Sequence, residues 1–526
     1  MLTRYAPGGA VAAANHLAAT AGVVALSRGG NAADAAVAAG AVMAVVAPHM
    51  CGLGGDLFAI VAWPDEAPTA LNASGRSGAG ADAGAVRREG LRAMPFQRDI
   101  RAVTVPGCVD GLVALHERYG SLSLADLLAP ARRLASDGFP APAALAWASA
   151  GLRGADRAAA FGTTAPLVAG QRIRLAGVDR ALGAIAAAGR AGFYEGEAGA
   201  SLLALGDGHF HEDDLRASQA DWVQPLRLAA LGRQIWTVPP NSQGYLALAG
   251  AWIAEHAGVP ADPEAETWAP LLVEAARRAA FDRPAVLHED ADGAALIDVT
   301  RLGPLADAAR DAVRGQAGGD LADVYQAGGT THICAVDRQR AGVSLIMSNA
   351  ADFGSHLVLP RHGIFLHNRG MGFSLEPGHP AEFGPGRRPP HTLSPLTVTD
   401  TAGTLDTVLG TMGGDAQPQI LLQVLTRLLA ARQPAGEAVA APRWALSREP
   451  TNGFDVWQSD NPLVVRVESD APPIWSRALR QRGYQVIEEP AGDDFFGHAQ
   501  VIRVTEDGQL AGAADPRSGD GAFAGL

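Results

Sequence analysis

Three cysteines, Cys51, Cys108 and Cys334, are all the chain has, so at most one disulfide can form and no ligand set with zinc spacing exists. That usage suits a reducing compartment. No Lys/Arg-rich stripe occurs, and 55 acidic residues against 42 basic ones give a formal charge of −13, which makes nucleic acid a poor partner. The opening residues, Met-Leu-Thr-Arg-Tyr-Ala-Pro-Gly-Gly, lack the charged and apolar regions of a secretory signal, and a cytoplasmic protein is expected. A membrane span is missing too. The most apolar stretch, Ala32 to Ala47, is about 16 residues long, carries Asp34 and is closed by Pro48, so it reads as a buried helix. Neither a long polar tract nor an internal repeat is found. A hydrophobic share of 48% over 526 residues describes a globular protein with a sizeable core, and the length leaves the domain count open.

What is present begins with small apolar residues at helical spacing from 10 to 47, split by Arg28-Gly29-Gly30-Asn31, where the glycines end one helix and Asn31 caps the next. A helical hairpin is expected there. A glycine turn from Cys51 then runs into an apolar strand ending near Trp63, followed by a second strand and loop over Leu71 to Arg76. From about 105 to 325 the pattern is mainly helical, with amphipathic runs at Leu112–Tyr119, Leu122–Ser136 and Ala265–Phe281. Residues 314–329 form a flexible-looking approach to a β-branched, alternating segment, Thr330 to Asp337. Later strands are expected at Val343–Ser348, Leu396–Thr399 and Leu405–Leu409, a helix over Pro418–Ala431, and a final strand–helix–strand ending in Gln509–Pro516. Strands come in adjacent pairs, which favours antiparallel sheets covered by helices, an α+β fold.

The segment Gly328-Gly329-Thr330-Thr331-His332 draws attention for its chemistry. A hydroxyl nucleophile that becomes an N-terminus acquires its own amine as a general base. Glycines before it permit the strained backbone in which the Thr330 hydroxyl can attack the Gly329 carbonyl. Taken alone, such a segment is a turn entering a strand. Its surroundings change that reading. In order along the chain stand Gly29-Gly30-Asn31-Ala-Ala-Asp34-Ala-Ala-Val, Pro48 through Gly54-Gly55, Thr330-Thr331-His332, Phe353-Gly354-Ser355, Leu393-Ser394-Pro395, Gly413-Gly414 and Asp515-Pro516-Arg517-Ser518.

This succession resembles the γ-glutamyltransferase family over nearly the whole chain. The resemblance implies a four-layer αββα sandwich of the N-terminal-nucleophile hydrolase type and self-cleavage between Gly329 and Thr330. A large subunit, 1–329, and a small subunit, 330–526, would then stay associated. Thr330 is implied as the nucleophile and Ser348, eighteen residues on, as the hydroxyl that orients it. Gly413 and Gly414 are implied as backbone donors to an oxyanion, a role whose loss commonly costs about 3 to 4 kcal/mol of transition-state stabilisation; an ordinary glycine turn is the alternative. No metal or organic cofactor is called for.

The departures concern the substrate. The family's Asp-Asp pair for an α-amine falls on Met371-Gly372 within Asn368 to Ser374, so both carboxylates are gone, at about 1.5 to 3 kcal/mol for a lost charge-assisted bond. The family's arginine for an α-carboxylate falls on Ser74; Arg76, two places on, either replaces it or is a surface arginine. Its Ser-Ser pair becomes His391-Thr392, and Asn349 is a further candidate for a substrate carboxylate. His49, His356, His362 and His367 stand singly, as structural or surface residues more often do. An amide hydrolase acting on γ-glutamyl or related small carboxylate-bearing amides is expected. Oxamate-type or glutaryl-type amides without γ-glutamyl activity are the alternative, and a non-catalytic binding protein is the alternative of another class. A lipase-type serine elbow is disfavoured, because Gly75-Arg76-Ser77-Gly78-Ala79 lacks the closing glycine.

Overall fold

A computed structural model of the protein describes residues 2–315, 329–448 and 462–526. Of the approach segment expected over 314–329, residues 316–328 lie outside the described residues. Among the described residues no helix is long and apolar enough to cross a membrane.

Two seven-stranded sheets stack face to face, and every pairing within them is antiparallel. The first runs Ala522–Gly525, Ala10–Ala13, Gly329–Val336, Gly342–Ala350, Asp56–Ala62, Thr69–Ala73, Asp221–Val223. The second runs Arg4–Ala6, Leu510–Ala514, Ala499–Val504, Leu405–Thr411, Leu396–Thr399, Arg233–Thr237, Leu226–Ala230. Helices His16–Ser27, Ala32–Val46, Cys108–Tyr119, Leu124–Asp137 and Ala176–Tyr194 cover the outer face of the first. Tyr245–Ala257, Trp268–Ala279, Val299–Arg314 and Gln417–Leu425 cover the second. The result is a four-layer αββα sandwich, an α+β fold. Both sheets contain strands from before and after residue 329.

Local chemistry explains the central elements. Ala32–Val46 is buried on every side, which its Ala, Gly and Val residues tolerate. Its start is a capping box: Asn31 accepts from the Ala33 and Asp34 amides while Asp34 accepts from the Asn31 amide. Asp34 also accepts from Ser121, tying the hairpin to the loop before Leu124–Asp137. Gly329–Val336 and Gly342–Ala350 are buried along their whole length, as central strands between a helix layer and a second sheet must be.

Two expectations need correction. Residues 10–13 belong to a strand rather than to the first helix, because they pair with both Gly329–Val336 and Ala522–Gly525. Among the described residues the stretch read as mainly helical contains five strands: the short pair Phe139–Pro140 and Arg172–Ile173, and Asp221–Val223, Leu226–Ala230 and Arg233–Thr237, which supply an edge to each large sheet. At the far end, Asp515 and Arg517 join Arg443 and Glu468 in a buried charge cluster: Arg443 Nη2 lies 2.6 Å and Arg517 Nη1 3.0 Å from the Asp515 carboxylate. The Asp-Pro-Arg-Ser motif therefore ties the second sheet to the separate small sheet that contains Trp444–Arg448 and Leu463–Glu468.

Candidate active site

The register of the first sheet lines up four side chains in one row. Thr330 pairs with Ser348, Ser348 pairs with Asp56, and the Leu57–Ala73 pairing, continued by one residue, sets Ser74 beside Asp56. Directly opposed residues in an antiparallel sheet share a face, so the row points one way. His332, two residues from Thr330, shows which way. Its ring packs so closely on the second sheet that a Cβ at Gly410 would lie 2.2 Å from it. Cys334 Sγ is 3.3 Å from the Val408 carbonyl oxygen. The sequence of facing pairs, 334 with 408 and 332 with 410, carries Thr330 to the level of Met412, immediately before Gly413-Gly414.

Thr330 Oγ1 is 2.9 Å from Ser348 Oγ, and Ser348 Oγ is 2.8 Å from the carbonyl oxygen of Gly329. Ser348 also accepts from the Ala350 amide at 2.8 Å and from Arg369 Nη2 at 3.0 Å. Arg369 in turn reaches Asp56 Oδ2 through Nε at 2.9 Å and Thr392 Oγ1 through Nη1 at 2.9 Å. His391 Nε2 completes the carboxylate's environment at 2.9 Å from the same oxygen. Thr330, Ser348, Asp56, Arg369 and His391 are each at most 2% exposed.

Charges balance in this cluster. Burial works against an ionised Asp56, but the Arg369 guanidinium and His391 overcome it and hold the carboxyl well below the usual carboxylate range. His391 is pushed down to about 3 by burial and by Arg369. Its Nδ1 accepts from the Leu393 amide, so the neutral ring carries its proton on Nε2, toward Asp56. His367 is lowered by burial as well, and its Nδ1 accepts from the Arg369 amide. The site thus contains one anion and one cation in direct contact.

Gly413 and Gly414 follow the strand Leu405–Thr411 and precede the helix Gln417–Leu425, with φ of 139° and 51°. Among the described residues neither amide has a hydrogen-bond acceptor. Two amides without an acceptor are what a backbone donor pair requires. A cavity of about 540 Å³ lies alongside, lined by Arg369, Thr392, Met371, Gly372, Arg92, Arg283 and Asp415. A second, of about 730 Å³, touches Gly329 and is lined by His49, Asp352, Asp494 and His498.

A family model described as gamma-glutamyltranspeptidase matches residues 18–525. The chain belongs to the γ-glutamyltranspeptidase family. It is 36% identical to the oxamate amidohydrolase proenzyme of Klebsiella pneumoniae and 33% identical to the glutathione hydrolase-like YwrD proenzyme of Bacillus subtilis, in each case over 98% of both chains. The crystal structure of cephalosporin acylase from Bacillus halodurans superposes with a TM-score of 0.88 at 30% identity, covering 100% of this chain and 97% of the other.

Within this γ-glutamyltranspeptidase fold the other sequence candidates fall into different places. His391 and Thr392 join the Asp56–Arg369 cluster. Ser74 sits in the row, but its hydroxyl accepts from Arg388 Nη1 at 2.9 Å, and Arg388 also binds Asp221 at 2.7 Å. Arg76 is turned away: its guanidinium binds Asp221 at 2.9 Å and faces Glu289 at 3.5 Å, an ion-pair network rather than an open carboxylate site. Asn349 projects to the face opposite Ser348, where its amide donates to the Pro48 carbonyl at 3.0 Å and its backbone to Met50. Sequence reasoning did not single out Asp56, Arg369 or Arg388. Arg369 stood inside the segment noted only for its missing acidic pair, and its partner Asp56 is 313 residues away.

Proposed function

We propose that this protein is a self-processing amide hydrolase that uses Thr330 as its nucleophile, with Ser348 orienting it. One observation carries the reading: nucleophile, orienting hydroxyl and scissile carbonyl oxygen lie within two hydrogen-bond lengths, Thr330 Oγ1 to Ser348 Oγ at 2.9 Å and Ser348 Oγ to Gly329 O at 2.8 Å. In processing, Thr330 Oγ1 bonds to the Gly329 carbonyl carbon, the C–N bond breaks, and the hydroxyl proton passes to the departing nitrogen. Water then hydrolyses the ester, leaving a Gly329 carboxylate and a free Thr330 hydroxyl and amine. That amine serves as base when Thr330 attacks a substrate amide, and water again resolves the acyl-enzyme. Gly413 and Gly414 receive the oxyanion.

The substrate in this reading is a small amide bearing a carboxylate and no free α-amine. Arg92, Arg283 and Arg369 border the cavity beside Met371-Gly372, against two acidic residues in the described lining, Glu376 and Asp415, the latter paired with Arg283. Similarity to an oxamate amidohydrolase and to a cephalosporin acylase supports acyl groups of the oxamate or glutaryl kind; similarity to a glutathione hydrolase-like protein keeps γ-glutamyl amides as the second choice. The pieces 1–329 and 330–526 stay associated, since burial of interleaved strands at about 25 cal/mol per Å² opposes their separation. A cytoplasmic location belongs to the same reading, supported by three cysteines that are all buried free thiols.

The sequence contains no lysine, so an amine-reactive acyl reagent marks only α-amines. Purified protein should give two denatured fragments and two labelled termini, Met1 or its successor and Thr330. Thr330→Ala should give one chain and one label. A native chain that stays whole, or a Thr330→Ala chain that is cut at the same bond, defeats the nucleophile assignment.

A further inference from the structure

The hydrogen bonds around Ser348 determine which way its proton points. A serine hydroxyl has one proton and two acceptor sites. Both acceptor sites are filled by groups that can only donate: the Ala350 amide at 2.8 Å and Arg369 Nη2 at 3.0 Å. Two oxygens remain around Ser348 Oγ, Gly329 O at 2.8 Å and Thr330 Oγ1 at 2.9 Å. With both lone pairs engaged, Ser348 cannot accept the Thr330 proton, and its own proton must go to one of these two oxygens.

Arg369 is held in the orientation that does this. Its Nε is fixed on Asp56, its Nη1 on Thr392 and its backbone amide on His367 Nδ1. Asp56 is fixed in turn by His391. A planar fork spanning three acceptors is a task for arginine; a lysine ammonium meets them one or two at a time. At 2% exposure, the arginine is largely shielded from bulk solvent.

We propose that Arg369 is a positioning residue that makes Ser348 an obligate hydrogen-bond donor. During self-cleavage Ser348 donates to the Gly329 carbonyl oxygen, where negative charge develops as Thr330 Oγ1 attacks. After cleavage, with Gly329 released, the same proton turns to Thr330 Oγ1 and stabilises its alkoxide character. Ser348 is therefore not a base at either stage. The Thr330 proton leaves along another path, toward nitrogen.

This inference rests on the reading of Thr330 as nucleophile, and the test separates the two. Processing is followed on denaturing gels for the full chain and for Arg369→Lys, Ser348→Ala and the double variant, with Thr330→Ala as reference. Arg369→Lys keeps the charge opposite Asp56, so it retains the fold better than a neutral replacement; a melting curve checks this. The expected result is a tenfold or greater slowing in Arg369→Lys and a double variant no slower than Ser348→Ala, because an effect transmitted through the Ser348 hydroxyl vanishes with it. Where Ser348→Ala is too slow to follow, Ser348→Cys, a weak donor, takes its place in the cycle. Arg369→Lys processing at the native rate, or a double variant slowed by the product of the two single effects, overturns the proposal while leaving the nucleophile in place. Cleavage persisting in Thr330→Ala overturns both.

Discussion

Replacing Asp56 by asparagine changes one atom in a fully buried contact, and the structure fixes what should follow. Among the described residues Asp56 is the only carboxylate within bonding distance of the Arg369 guanidinium, and the arginine is 2% exposed. Asp56→Asn keeps shape and hydrogen-bonding capacity but strands a buried cation, a perturbation that commonly costs about 3 to 5 kcal/mol. Unfolding entropy of about 2.1 cal/mol/K per residue over a chain of this length is about 1.1 kcal/mol/K, so the melting temperature should fall by about 3 to 5 °C. The comparison belongs in a Thr330→Ala background, which keeps every variant a single chain, and scanning calorimetry is the assay. Adding Arg369→Met to Asp56→Asn removes the second charge and should recover at least half of the loss, since a neutral pair of similar volume is tolerated where half an ion pair is not. A single variant melting within 1 °C of its parent, or a double variant melting lower than the single, would show that the pair is not the charge-balanced unit described above.

Acid should weaken the fold already above the usual carboxylate range. His49 is held down at about 4, and His332 and His391 at about 3, all chiefly by burial. Unfolding lets each ring take up a proton that the folded state refuses, so stability falls as pH drops below about 6.5 and continues to fall toward the folded values. Between pH 6.5 and 5 that is about 2 kcal/mol for each ring, and a melting temperature unchanged over this interval would contradict it. Asp56 and Asp515 are depressed instead, so their stabilisation persists above the usual carboxylate range and is lost only in stronger acid. Gly413→Ala places a side chain at φ 139°, at a cost of about 1 to 3 kcal/mol, and tilts the amide pair. In the processed enzyme it should lower kcat by about a hundredfold or more with KM little changed; equal kcat would remove Gly413 from the oxyanion site.

Much of the fold was legible because its signals are local. Asn31 with Asp34 is a cap that can be read in four residues, and the alternating, β-branched run from Thr330 is a strand in any context. The strands at 221–237 were not legible. They are short, only partly buried, and surrounded by helices, so no single face repeats long enough to declare a period. In the site, Thr330 and Ser348 were paired through the family resemblance, and the antiparallel register of Gly329–Val336 with Gly342–Ala350 sets them opposite each other. Asp56 and Arg369 could not be paired from the sequence. Their contact depends on which strand lies beside which, information carried by the packing of two sheets rather than by any stretch of residues. Around Ser74 and Arg76 an arginine was sought nearby in the chain, while Arg388, far along it, reaches Ser74 through space.

The mixing of early and late strands in each sheet bears on the history of each molecule. The first sheet sets Ala10–Ala13 between Ala522–Gly525 and Gly329–Val336, so the connectivity that guides these strands together exists only while the polypeptide is whole. Once the bond before Thr330 is cut, a melted molecule becomes two chains that must find each other again at solution concentration, each with unpaired strand edges prone to aggregation. A processed enzyme of this architecture folds once. Its lifetime is then governed by how slowly it opens, and heat inactivation should depend on scan rate in the cut form while the uncut Thr330→Ala chain retains a route back.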